Sequence, residues 1–275
     1  MSGIKYEHHM LGSVYDSICP FKVEYDTAEP DSMANWHKNP ELIYITSGKG
    51  NVQCGAQSFN AEKGDIFAVS PETIHNVCST EDMGYYFIII DEKFCRTNGI
   101  ELERYMLEPK INDSGTENRI RRIIDVYQNR NGEKSWLYAA KMRGAVIDLF
   151  VNICESHARY IDEKKGIGNS DAYVRKAIVY ISENYNRTLT IEEIAKELGV
   201  TKFHLSREFR KYTGETAISH LNKVRIARAR QMICAGCSVT QAAMECGFES
   251  VSYFSQKFKA VMGISPSEYV RNIRG

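Results

Sequence analysis

The sequence predicts an α+β multi-domain protein: an N-terminal antiparallel β-barrel over residues 1–112, a helical connector over 113–163, a linker at 164–170 and an all-α unit over 171–275. Three observations predict it. Five of the six prolines lie at or before Pro109 and the sixth is Pro266, so the stretch between them admits long helices that proline would interrupt. Beyond Pro109 the apolar period changes from strand-like runs to helical spacing. The C-terminal part then repeats itself.

Segments rich in β-branched and aromatic residues, separated by turn residues, fill the first part. They are FKVEYD at 21–26, ELIYITSG at 41–48, a hairpin over 51–61 hinged on Gly55, GDIFAVS at 64–70 and YYFIII at 85–90. Past Pro109, Ile120, Ile123, Ile124 and Tyr127 recur on one helical face, and Asn129-Arg130-Asn131-Gly132 ends that helix. Ser135 is placed to cap a second, longer helix. Its apolar residues, among them Trp136, Met142, Val146, Leu149, Phe150, Val151 and Cys154, cover most of its circumference. Such a helix is expected to be buried on several sides, against its own barrel or in a subunit interface. The stretch KKGIGNS then reads as an interdomain linker.

In the last part, Thr190–Gly199 aligns with Ser238–Gly247 at an offset of 48, and one extra turn residue makes the offset 49 thereafter, pairing Leu205 with Phe254 and Phe209 with Phe258. Each copy reads helix, tight turn, helix. Thr190 with Glu193 and Ser238 with Gln241 have capping-box spacing, and Thr201 and Ser250 are placed to cap the second helices. Gly199 and Gly247 sit where a helix stops in a left-handed conformation. This is the pattern of a duplicated helix-turn-helix, whose second helix enters the DNA major groove. A helix from about Thr216 to Ala235 separates the copies, with Leu221, Arg225, Ile226, Ala229, Met232 and Ile233 on its packing side. At 1.5 Å per residue it spans ~30 Å, close to the ~34 Å between successive major-groove openings on one face of B-DNA.

Composition narrows the function further. With 43% hydrophobic and 25% charged residues, the chain is neither disordered, collagen-like nor one long coiled coil. Its zero net charge hides a partition: residues 171–275 carry 16 Lys and Arg against 10 Asp and Glu, whereas 1–170 carry 19 against 25. The C-terminal unit is therefore the natural partner of a polyanion. Eight scattered cysteines read as thiols of a reducing compartment. The first residues lack a secretory h-region, and the apolar run Tyr85–Ile90 is too short to span a bilayer. A cytoplasmic protein with no membrane partner is expected.

The motifs LSREFRK at 205–211, the run from Gly247 to Lys259 and Gly263-Ile-Ser-Pro-Ser-Glu-Tyr269 resemble the AraC-type family of bacterial transcription regulators. The resemblance implies that the second helix of each unit reads bases in double-stranded DNA. It points to Phe203, Ser206 and Arg207 in the first unit and to Val251, Ser252, Ser255 and Gln256 in the second. Gln256 stands where the family commonly has Arg. Arg207 suits a bidentate grip on guanine, while Gln256 suits adenine and adds no charge. Lys202, Arg210, Lys211, Lys257 and Lys259 read as phosphate contacts or as a solvated face.

The N-terminal region resembles the cupin barrel that such regulators often carry as a sensor. Asn35-Trp36-His37-Lys38-Asn39-Pro40-Glu41, followed by Gly48, matches the first cupin motif except that Asn35 replaces its first histidine. Gly64-Asp65 with His75 matches the second, with Ser70 and Glu72 where Pro and Gly are usual. Strand parity directs His37 and Glu41 to one side, the barrel interior. His37, Glu41 and His75 suit either a divalent metal or, without metal or any other cofactor, direct hydrogen bonds to an effector. The metal-free reading is favoured, with Trp36 beside the three polar groups. No arginine precedes Arg96, so a neutral polyol such as a carbohydrate fits better than a carboxylate or phosphate. Trp36, Tyr44, Tyr85 and Tyr86 offer stacking faces or serve as core. Cys234-Ala235-Gly236-Cys237 stands alone and reads as packing. The whole reads as an effector-controlled, dimeric DNA-binding regulator that is not an enzyme. Its rivals are a metal-dependent cupin enzyme fused to a DNA-binding domain and a constitutive regulator whose barrel only dimerises.

Overall fold

The computed structural model describes residues 21–29, 32–102, 105–131, 135–160 and 170–274. Gly132 and linker positions 164–169 lie outside the described residues. Residue contacts gather the chain into two units, whose long continuous parts are 36–168 and 169–275.

The first unit is built on strands β1 (Phe21–Thr27), β2 (Glu41–Cys54), β3 (Gln57–Glu62), β4 (Ile66–Val69), β5 (His75–Ile90), β6 (Tyr105–Leu107), β7 (Lys110–Ile111) and β8 (Ala158–Tyr160). Six of them form an antiparallel sheet in the order β1-β5-β2-β4-β7, with β3 also paired to β2; β6 pairs with β8. Two strands are longer than the sequence predicts. Segments 41–48 and 51–54 are one strand, and β5 begins at His75 rather than Tyr85. Pairing from Glu41↔Ile89 to Cys54↔His75 carries both strands through the polar stretch 79–82, and register shifts between Ile45 and Gly50 bend the ribbon. Backbone pairing outweighs side-chain polarity there.

The ribbon buries both faces. Leu42 and Tyr44 of β2 pack on one side with Ile88, Ile120, Ile123, Met142 and Leu149, and Ile43 and Ile45 pack on the other with Val52, Phe67, Val69 and Met83. A strand covered on both sides has no solvent face to alternate towards, which is why ELIYI is nearly continuous in apolar residues.

Helices α1 (Glu92–Thr97), α2 (Ser114–Gln128) and α3 (Tyr138–His157) complete this unit. Helix α2 ends at Asn129 as its sequence predicts, and Asp113 caps its start by accepting hydrogen bonds from the backbone of Gly115 (3.0 Å) and Thr116 (2.8 Å). Helix α3 departs from expectation at its start. A 3-10 turn, Ser135–Leu137, precedes it, and Leu137 rather than Ser135 holds the cap position. Its buried residues, Met142, Ala145, Val146, Leu149, Phe150 and Ile153, lie along one stripe. Burial is one-sided, in the apolar cluster that α3 shares with α2 and the sheet, and Val151 (41%) and, in the preceding turn, Trp136 (79%) stay exposed.

The second unit contains α4 (Ser170–Asn184), α5 (Ile191–Glu197), α6 (Lys202–Thr213), α7 (Ala217–Cys234), α8 (Val239–Glu245), α9 (Val251–Met262) and α10 (Pro266–Arg274). Thr190, Thr201, Ser238 and Ser250 each accept a hydrogen bond from the backbone N–H three residues on. Among the described residues, only Ser265 with Glu268 closes a reciprocal box. The side chain of Glu193 instead meets Arg187, and that of Gln241 donates to Glu245 at 2.8 Å. Gly199 and Gly247 have φ of 68° and 80°, as the turns require. Among the described residues no helix is long and apolar enough to cross a membrane.

The two turn glycines provide a matched test. A Cβ at Gly199 meets nothing within 4 Å, whereas one at Gly247 falls 2.7 Å from the carbonyl carbon of Asn186 and 2.8 Å from the oxygen of Tyr185. Gly199→Ala is expected to cost ~1–2 kcal/mol, the left-handed strain alone. Gly247→Ala adds an overpacking penalty of ~1–3 kcal/mol. Equal losses in denaturant unfolding would contradict this packing.

Candidate functional site

The structure places the expected DNA-reading residues on two equivalent helices. On α6, Lys202, Phe203, Ser206, Arg207, Arg210 and Lys211 are all exposed, while Leu205 and Phe209 face the core. On α9, Ser252, Gln256 and Lys259 are exposed, Val251, Ser255 and Lys257 are half-buried, and Phe254 and Phe258 are buried. Helical spacing explains both sets: apolar residues three to four apart anchor the helix, and the intervening positions are pushed outward. Phe203 is 78% exposed, which is unusual for its size and leaves a large apolar face beside Arg207. Lys202 pairs with Glu192 at 3.0 Å, which is consistent with the solvated-face reading for that residue.

Helix α7 holds the two units. Ile226, Ala229 and Ile233 pack with Ala242, Ala243, Phe248, Phe254 and Phe258 of the second. The Arg225 guanidinium, 7% exposed, donates to the carbonyls of Tyr185 (2.7 Å) and Arg187 (2.8 Å) ahead of the first. At 1.5 Å per residue, its 18 residues span ~27 Å.

Sequence reasoning missed three polar groups on these surfaces. Glu208, buried next to Arg207, accepts a hydrogen bond from Arg207 Nε at 2.8 Å, and His204 Nδ1 lies 3.4 Å from an Arg207 Nη. Burial works to raise the Glu208 pKa, but the Arg207 hydrogen bond and the charge of Lys211 prevail and hold it below the usual carboxylate range. On α9, Tyr253 is 40% exposed and its hydroxyl accepts from Asn222 at 3.3 Å. The one available signal was an acid inside the otherwise basic LSREFRK run.

In the first unit the structure brings His37, Glu41 and His75 together, all buried, with ligand atoms within 4.8 Å of one another. Glu41 begins β2 and shares parity with Ile43 and Ile45, so it faces the inner core; His37 precedes the strand and reaches Glu41 from a loop. His37 Nε2 lies 2.9 Å and His75 Nε2 3.1 Å from the same oxygen, Glu41 Oε2. His37 Nδ1 is 2.8 Å from the Asn39 carbonyl, and His75 Nδ1 is 2.9 Å from that of Thr73. A carbonyl only accepts, so both Nδ1 atoms carry protons and both Nε2 atoms turn toward the carboxylate. Burial raises the Glu41 pKa, but the two histidine hydrogen bonds and charges override it and drive it far below the usual range. Two Nε2 atoms that meet one carboxylate oxygen need a hydrogen or a cation between them. Histidines that donate Nδ1–H to backbone carbonyls while aiming Nε2 at a shared centre have the donor set and outer-shell pattern of a divalent metal site. The residues present therefore fit a metal.

The loop carrying His75 is strained. Glu72, where glycine is usual in the resembled motif, has φ of 61°, and its N–H donates to the His37 carbonyl at 2.7 Å. Two expected stacking residues lie elsewhere. Tyr44 and Tyr86 have the opposite strand parity and face α2, Tyr44 donating to Glu117 (2.9 Å) and Tyr86 accepting from Gln128 (3.0 Å). Trp36 is half-buried next to His37 in sequence, and Tyr85 packs against the inner core.

Comparison with known proteins covers both units. A helix-turn-helix domain family matches residues 194–272, and the AraC-like ligand binding domain matches residues 24–135. The HTH-type transcriptional activator RhaR of Salmonella schwarzengrund is 22% identical over 242 residues, 85% of each chain. The HTH-type transcriptional regulator ArgR of Pseudomonas aeruginosa is 30% identical over 142 residues, 50% of this chain and 43% of ArgR. Among solved structures, ToxT from Vibrio cholerae O395 shares 18% identity with a TM-score of 0.43, covering 93% of this chain and 99% of that one. With a ligand-binding domain matched before a helix-turn-helix domain, the chain belongs to the AraC-type family of DNA-binding transcription regulators.

Proposed function

We propose that the protein is a non-enzymatic, sequence-specific regulator that answers to a small neutral polyol and acts as a cytoplasmic homodimer. The observation that carries the DNA half is the pair of equivalent exposed faces on α6 and α9, fixed by four side-chain caps and held on one helix. In this reading Phe203, Ser206 and Arg207, with Val251, Ser252, Ser255 and Gln256, meet bases. Lys202, Arg210, Lys211, Lys257 and Lys259 meet phosphates. Exposed Trp136 and Val151 on the connector supply apolar surface for a second copy. Residues 1–112 sense, 113–163 connect and 171–275 bind DNA.

For the effector, Trp36, His37, Glu41 and His75 are the contact residues, and the absence of arginine before Arg96 supports a neutral ligand. The His–Glu contacts are made among themselves, so a polyol would enter by exchanging its hydroxyls for them. The paired Nδ1 bonds favour a second reading, in which His37 Nε2, His75 Nε2 and Glu41 hold a divalent cation and the effector supplies a further ligand to it.

Two outcomes are expected. On a site selected from a random duplex library by the full-length protein, Arg207→Ala costs ~1–3 kcal/mol and relaxes preference at one base, while Gln256→Ala costs less. A larger loss at Gln256 in binding titrations would move the dominant reading head to α9. In the sensor, one polyol from a panel raises the melting temperature; at 100 times its dissociation constant the stabilisation is ~2.7 kcal/mol. Glu41→Gln abolishes that shift and leaves affinity for the selected site unchanged. Elemental analysis separates the readings: about one divalent ion per chain, with melting lowered by a chelator, would replace direct hydrogen bonding by the metal. A protein that no polyol shifts, with or without metal, would be constitutive.

A further inference from the structure

We propose that Glu208 is a positioning residue that sets the base preference of α6 by fixing the guanidinium of Arg207. The inference rests on Arg207 as a base-reading residue and adds the group that makes its reading selective. Adjacent residues on a helix project about 100° apart and do not ordinarily face each other. The 2.8 Å contact between Arg207 Nε and Glu208 Oε1 therefore requires the arginine stem to turn back along the helix surface.

The two partners are unequally exposed. The Glu208 side chain is only 7% accessible, whereas that of Arg207 is 72% accessible. A fixed acceptor thus holds one edge of a mobile donor. Counting donors shows what remains. A guanidinium has five N–H groups. One, on Nε, goes to Glu208, and one on Nη2 points to His204 Nδ1 at 3.4 Å. Three are left, among them the end-on pair that matches O6 and N7 of guanine. Arginine otherwise loses much rotamer freedom on binding, and a guanidinium already held in place loses less.

Electrostatics makes the acid informative. A carboxylate on a DNA-facing helix repels phosphate, so at this place it weakens non-specific binding. The duplication supplies an internal control. At the offset of 49, Gln256 occupies the position of Arg207 and Lys257 that of Glu208, so the acid is present only in the unit that carries the arginine.

Five full-length proteins test this, each selecting from a random duplex library whose bound pool is sequenced: wild type, Arg207→Ala, Glu208→Met, Glu208→Gln and the double variant Arg207→Ala/Glu208→Met. Methionine keeps the length of the side chain without an acceptor, and glutamine keeps a neutral acceptor. The wild type is expected to enrich guanine at one position, which Arg207→Ala abolishes. Glu208→Met is expected to weaken that enrichment about three- to tenfold, on the order of one ordinary net hydrogen bond, with other positions unchanged. Glu208→Gln should fall between. Affinity for unselected DNA should rise in both Glu208 variants, and in an Arg207→Ala background Glu208→Met should have no further effect on base preference. A structural role for Glu208 would instead lower the melting temperature and weaken all sequences together, which would overturn the proposal. So would an unchanged guanine preference in Glu208→Met where Arg207→Ala abolishes it. If Arg207→Ala itself leaves the preference intact, the reading of Arg207 fails, and the positioning role falls with it as a separately recognisable result.

Discussion

The DNA-binding half depends on how rigidly α7 is tied to what flanks it. The buried Arg225 guanidinium spans from that helix to the carbonyls of Tyr185 and Arg187, groups that have no helical partner of their own at the end of α4. Charge-assisted bonds to two orphaned carbonyls are stronger than neutral ones, and burial removes competing water. Gly247, the turn of the second unit, rests against the same loop at residues 185–186. One short loop therefore joins the strut, the approach to the first unit and the turn of the second. Two helix-turn-helix units so joined present α6 and α9 at a fixed separation rather than as independently tethered heads.

The sensor half is organised by a different constraint. Strand β2 is buried on both faces, so successive residues serve different partners: Leu42 and Tyr44 hold α2 and α3 against the sheet, while Glu41, Ile43 and Ile45 face inward. The polar cluster and the connector are thereby attached to alternate residues of one strand. The cluster residue Glu41 and the residue that seats α2 through the Tyr44–Glu117 hydrogen bond lie three positions apart on the same strand. In the proposed reading, an effector held at the cluster would lie on the strand that carries the connector.

Much of this was legible in the sequence, for identifiable reasons. The caps at Thr190, Thr201, Ser238 and Ser250, the turn glycines and the apolar faces of α6 and α9 are local chemistry, and repetition of the pattern removes ambiguity. The meeting of His37, Glu41 and His75 was also readable from motif spacing, although parity was only part of the reason, since His37 lies outside the strand. What the sequence hid was non-local. The extension of β5 through the polar residues 79–82 depends on pairing with β2, and the one-sided burial of α3 depends on packing against α2 and the sheet together. The placement of Tyr44 and Tyr86 toward α2 followed from parity but was masked by their suitability for stacking. Glu208 escaped notice because neighbours on a helix are not expected to touch.

The central proposal, that α7 holds two unequal reading heads at a fixed spacing, is tested most directly by varying that spacing on DNA. Five base pairs inserted between the two halves of a selected site rotate one half to the opposite face of the duplex, and ten restore the face but not the distance. The account predicts that both insertions reduce full-length binding to the level of a site with one half scrambled, because a rigid ~27 Å helix neither twists nor stretches. Recovery of affinity at ten base pairs, or indifference to five, would show that the heads are flexibly joined and contradict it.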